Sequence, residues 1–127
     1  MQEITVAVVQ MHPRLGKVED NLIAMCKFVD RICTEQKVNL IVFPELATNG
    51  YELGLRFTDV AERVPGPAVN LLAQRAADYS THIVFGLVTK EKVESTIYNA
   101  AAVIGPDGEI LGEYRKQIGR ASCRERV

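Results

Sequence analysis

Residues Thr96–Lys116, TIYNAAAVIGPDGEILGEYRK, hold two strand-like apolar runs separated by Pro106, Asp107 and Gly108. A trio of that composition between two such runs reads as a tight hairpin, so the runs are expected to be antiparallel neighbours. The chain upstream has a different rhythm. Ile4–Gln10 (ITVAVVQ) is short and almost continuously apolar, which suits a strand covered on both faces, Leu40–Phe43 (LIVF) reads as a second continuous apolar strand, and His82–Val88 (HIVFGLV) as a third strand. Between the first two, Leu22, Met25, Cys26, Val29, Ile32 and Cys33 recur at three- and four-residue steps, predicting a helix over 20–36 with one buried stripe. A second helix is expected over Ala68–Tyr79, with Val69, Leu72, Ala73, Ala76 and Ala77 on one side and Pro67 in its first turn. LRFTDVAERV, residues 55–64, is expected to hold a short helix. Strand, helix, strand, helix, strand and hairpin together predict an α/β fold whose sheet is parallel at first and mixed later.

The bulk properties narrow the class. A single domain of 127 residues buries roughly two-thirds of its unfolded surface, so one core is expected. With 47% hydrophobic and 24% charged residues the chain has ordinary globular composition. Its net charge of -1 leaves no electrostatic footprint for nucleic acid or an anionic membrane, and neither is expected as a partner. The N-terminus, MQEITVAVVQ, is acidic where a signal peptide is basic, and its apolar run is too short to span a bilayer, so a cytoplasmic location is expected. Cys26, Cys33 and Cys123 form an odd set without CxxC spacing, which argues against a disulfide framework or a zinc site. His12 and His82 lack clustered partners, and no cofactor or metal is implied. The last ten residues, IGRASCRERV, abandon every periodicity and resemble the reading-frame translation of a sequencing adapter. They are set aside as a non-native tail over 118–127.

The chemistry centres on VNLIVFPELATNGYE, residues 38–52. A glutamate beside an apolar run is costly unless its charge is paired or its proton affinity is used. Pro44 withholds an N–H, so the chain leaves the sheet near that point, at the strand end where open α/β sheets usually bind ligands. Strict alternation would put Ile41, Phe43 and Glu45 on one face, with the first two forming an apolar collar for the acid. The same alternation in EILGEYRK puts Ile110, Gly112, Tyr114 and Lys116 on one side, against Leu111, Glu113 and Arg115. A Glu45–Lys116 pair is then a candidate site whose charges offset one another and whose proton affinities catalysis can use. Read plainly, Glu45 is also a loop acid or helix cap, Lys116 a solvated strand end, and Asn49 and Tyr51 turn residues.

FPELATNGYE, preceded by an ITVAVVQ strand and followed by GEYRK, resembles the first half of a nitrilase-superfamily carbon-nitrogen hydrolase. The resemblance covers Ile4–Lys116 and implies that residues 1–117 are the N-terminal portion of such a domain. It implies part of an α-β-β-α sandwich, here one mixed sheet with helices on one face. It also implies a Glu-Lys-Cys triad acting on amides, nitriles or carbamoyl groups, with Glu45 as general base and Lys116 as catalytic lysine. By the same resemblance, a small-molecule amide or nitrile is the partner and the full-length protein is a homo-oligomer. The nucleophile does not carry over. Cys123 lies only seven residues after Lys116 and within the tail, while Cys26 and Cys33 fall upstream on a helix. The chain by itself is therefore expected to be inactive and, as half of a two-sheet sandwich, to expose one sheet face.

A non-catalytic α/β ligand-binding or receiver-like domain is the alternative reading. Receivers need acidic residues at the end of the first strand, where this chain has VVQMH, and an all-parallel sheet does not accommodate the PDG hairpin.

Overall fold

The computed structural model describes residues 2–48, 50, 61, 64, 66–90 and 97–116. Five strands and two helices follow in the order β1 (Val6–Val8), α1 (Val18–Glu35), β2 (Leu40–Val42), α2 (Pro67–Tyr79), β3 (His82–Lys90), β4 (Ile97–Ile104) and β5 (Ile110–Arg115). The strands lie side by side in chain order: β1, β2 and β3 run parallel, whereas β4 and β5 are antiparallel to their neighbours. Because each crossover advances the sheet in the same direction, the right-handed rule puts both helices on the same face. The expected α/β class, mixed sheet and hairpin are all present.

The helix stripes do the packing their spacing predicts. Met25 and Val29 of α1 and Val69, Leu72 and Ala76 of α2 are fully buried against Ile41, Ile83, Phe85, Leu87, Ala102 and Ile104 of the sheet. Ala77, expected on the buried side of α2, is exposed, and Ala68 is buried instead. Pro67 occupies the first turn of α2, where a missing N–H costs nothing. At the other end Ser80 adopts the left-handed conformation and the Thr81 N–H returns to the Ala76 carbonyl at 3.0 Å. The Ala73 side of α2 also lies above the hairpin, where Gly108 takes φ +85 in the turn. The expected helix over 55–64 falls largely outside the described residues.

Two expectations need correcting. First, β1 is covered on one face only: Ala7 and Val9 pack on the core, while Val6 and Val8 are 44% and 77% exposed. Its continuous apolarity does not mean double burial in this chain. Second, the alternation in β5 is interrupted. Ile104 pairs with Ile110 but Val103 pairs with Gly112, so Leu111 is an extra, bulged residue. The bulge reverses the parity, which sends Ile110 to the helix face and Gly112 and Tyr114 to the open one.

Candidate active site

Glu45 begins a turn over 45–48, just beyond the C-terminal end of β2. The turn closes where the Gly50 N–H reaches the Leu46 carbonyl at 2.9 Å, and Leu46 sits at φ 51, a left-handed conformation seldom taken by a branched side chain. What holds it there is burial. Leu46 packs with Ala61 and Val88 in a small cluster, whereas its neighbour Ala47 joins the main core. Asn21 at the start of α1 adds a polar staple: its amide donates to the Thr48 carbonyl at 2.9 Å and to the Arg14 carbonyl at 2.8 Å, and its oxygen accepts the Arg14 N–H at 2.7 Å.

The turn crosses the open face of β3 at closest approach over Gly86. A Cβ on that glycine would lie 2.5 Å from the Leu46 nitrogen and 2.8 Å from the Glu45 Cα, so no side chain fits under the crossing. This route also changes the expected surroundings of Glu45. Ile41 and Phe43 point into the helix-covered core, but the Glu45 carboxylate lies across the opposite face. Its walls are Val84, Gly86, Ala101 and Tyr114 together with Phe43, lining an open pocket of about 280 Å³. The apolar collar therefore comes from β3, β4 and β5, not from Ile41.

Lys116 reaches this pocket from the end of β5, and its Nζ stands 3.2 Å from Glu45 Oε2. The amide of Asn99, on β4, donates to the same oxygen at 2.5 Å. Both predicted side chains thus meet in one place, with a third polar group that sequence reasoning did not single out. A signal for Asn99 was available, since an asparagine within a run of strand alanines needs a hydrogen bond to justify it. Arg115, expected to point away from Lys116, does so and lies 4.1 Å over the Tyr98 ring.

The described cysteines have other surroundings. Cys26 is buried and Cys33 half-buried on α1, and burial pushes both thiols up, with Asp30 adding to the rise. A thiol raised in this way is a poor nucleophile at neutral pH. Cys123, Asn49 and Tyr51 lie outside the described residues. Among the described residues no group of three or more His, Cys, Asp or Glu could hold a metal ion, and no helix is long and apolar enough to cross a membrane.

A family model described as carbon-nitrogen hydrolase matches residues 5–126. The chain belongs to that family. Among similar carbon-nitrogen hydrolases, a Schizosaccharomyces pombe protein named as a probable nitrilase is 40% identical over 87% of this chain and 42% of its own length. Human omega-amidase NIT2 is 30% identical over 91% of this chain and 41% of its own length. The chain therefore spans about two-fifths of the length of these curated relatives. Saccharomyces cerevisiae Nit3, a nitrilase-superfamily structure, superposes with a TM-score of 0.81 over 91% of this chain and 44% of its own, at 24% identity, which speaks to the fold. An N-terminal amidase solved with an Asn-Glu peptide gives a TM-score of 0.80 at 25% identity, over 92% of this chain and 28% of its own.

Proposed function

We propose that residues 1–117 are the N-terminal part of a hydrolase acting on small linear amides, with Glu45 as general base and Lys116 as the cation beside the reacting carbonyl. The observation that carries this reading is the 3.2 Å contact between side chains from two motifs far apart in sequence, at the edge of a partly apolar pocket. The amidase names among the relatives favour amides as the substrate class, with nitriles and carbamoyl groups as neighbouring choices. The nucleophilic cysteine belongs to sequence outside this chain, so the 127-residue chain has no hydrolytic activity of its own. Residues 118–127 are read as a non-native tail, and the full-length protein as a cytoplasmic homo-oligomer.

In the proposed reaction the thiol proton passes to Glu45 as sulfur attacks the amide carbon. The C–N bond then breaks, ammonia leaves with the proton that Glu45 returns, and an acyl thioester remains. Water attacks that thioester, again giving its proton to Glu45, to release the acid and restore the thiol. The difficulty is the first transfer. A thiol near 8.5 and a free glutamate near 4.3 differ by about four units, roughly 6 kcal/mol against moving the proton. Exclusion of water and a cation near the sulfur close such a gap, and Lys116 also stabilises the oxyanion that develops on the substrate. Glu45 and Lys116 are still 38% and 29% exposed at their side chains, which supports the view that further protein must cover the site before it can work.

The test is ammonia release from a panel of short linear amides by the full-length protein and by the 127-residue chain. Full-length protein should turn over at least one of them, Glu45→Gln should abolish the reaction, and Lys116→Met should slow it by about 10²–10³-fold. Hydrolysis by the short chain that disappears with Glu45→Gln would overturn the external nucleophile. Undiminished activity in full-length Glu45→Gln would overturn the base.

A further inference from the structure

Asn99 brings polar character into an otherwise apolar stretch of β4, where Ala100, Ala101, Ala102 and Val103 follow it. It stands opposite Val88 of β3 in the strand register. Both its backbone and its side chain serve the site. Its main-chain carbonyl accepts the Lys116 N–H at 2.8 Å, carrying the β4–β5 ladder one residue beyond Arg115. Its side-chain amide donates to Glu45 Oε2 at 2.5 Å, the oxygen that Lys116 Nζ approaches at 3.2 Å. The residue therefore touches both members of the pair, one through backbone and one through side chain.

We infer that Asn99 is a positioning residue that sets the direction of the Glu45 carboxylate and its register with Lys116. The inference rests on the catalytic reading above and deepens it. A carboxylate rotates in a broad, shallow torsional well, so a turn that fixes its backbone does not fix its oxygens. Lys116 supplies a compact charge on a flexible stem, which constrains distance better than direction. A short amide anchored in a hydrogen-bonded strand constrains direction. It is also neutral, so it neither competes with Lys116 for charge nor takes the proton that Glu45 must accept.

The experiment compares Asn99→Ala and the isosteric Asn99→Asp in the full-length protein, using the short linear amide turned over fastest and following kcat and KM across pH. Loss of a hydrogen bond to a charged group should lower kcat about 10–100-fold in Asn99→Ala, with KM little changed. Asn99→Asp should behave differently. When its new carboxyl carries a proton it can donate as the amide did; once that proton is lost, two carboxylates share the site at a cost. Its kcat should therefore lie near wild type at the acid end and fall as pH rises, a limb absent from wild type and from Asn99→Ala. Equal, pH-independent losses in the two variants, or unfolding of the isosteric one, would show that Asn99 serves the sheet and overturn the inference. Wild-type kcat in Asn99→Ala beside an inactive Glu45→Gln would overturn it alone, whereas activity in Glu45→Gln would overturn the catalytic reading with it.

Discussion

The two faces of the same five-stranded sheet are put to different uses. On one, Ile41, Ile83, Phe85, Leu87, Ala102 and Ile104 lie fully buried beneath α1 and α2. On the other, Val6, Val8 and Tyr114 are left 44%, 77% and 68% exposed, and the only dense packing among the described residues is where the 45–48 turn crosses Gly86 and Val88. The covered face is a core that supplies none of the polar groups of the candidate site, although Phe43 also borders its pocket. The open face holds Glu45, Asn99 and Lys116 and little that would stabilise the fold by itself. Stability and the candidate site are thus separated by the thickness of one sheet, and substitutions on the two sides should fail in different ways.

The largest effect belongs to the covered face. Leu72→Ala removes a fully buried side chain between α2 and the sheet and should cost about 2–5 kcal/mol in urea unfolding. Val8→Ala, in a side chain that already faces water, should cost under about 0.5 kcal/mol. Equal costs would show that the two faces are buried alike and remove the distinction. Gly86→Ala is the exception that sharpens it, because one methyl added on the open face meets the Leu46 nitrogen at 2.5 Å. It should destabilise by about 1–3 kcal/mol by displacing the turn, and the same displacement should reduce activity in the full-length protein more than stability. If Gly86→Ala left both unchanged, the turn would not be seated as tightly as the crossing implies.

The helix-covered face was largely legible in the sequence, since a three-and-four-residue apolar step has few interpretations and Pro67 marks the start of α2. The open face was less so, for local reasons. The bulge at Leu111 inserts one residue between Ile110 and Gly112, and nothing in EILGEYRK distinguishes a bulged leucine from a paired one. Alternation also could not follow Glu45 past Pro44, because the chain has already left the sheet and turned through Leu46 at φ 51. That conformation is set by tertiary burial against Val88 and Ala61, a contact no local pattern contains. Gly86 and Asn99 did leave signals, a glycine inside a strand and an amide among alanines. Both have a physical rule behind them, close backbone approach for the first and an obligatory hydrogen bond for the second.

A smaller effect concerns association. Ile4, Val6, Val8 and Tyr114 are exposed large side chains of a kind that seeks cover, so the 127-residue chain should self-associate as its concentration rises. Val8→Lys should raise the concentration at which sedimentation still shows a monomer, while moving the urea midpoint very little. A wild-type chain that stays monodisperse and melts cooperatively at high concentration would show that the open face needs no cover.

The smallest expected effect lies on the outer side of the covered face, where Asp30 of α1 accepts hydrogen bonds from Tyr79 Oη at 2.9 Å and Arg75 Nε at 3.0 Å of α2. The bond to Asp30 raises the Tyr79 phenol above its ordinary value of 10.0. The sign follows from linkage. A group whose proton is held more tightly in the folded state adds stability that is complete below the unfolded pKa and disappears as pH climbs through the folded one. Wild type should therefore be slightly more stable than Tyr79→Phe at pH 8, and the gap between their urea midpoints should close above pH 10, since the ionised phenol can no longer donate. A gap that stayed constant into strong alkali would mean that Tyr79 contributes ring packing alone, and that α1 and α2 are held over the sheet by their apolar stripes without help from this link.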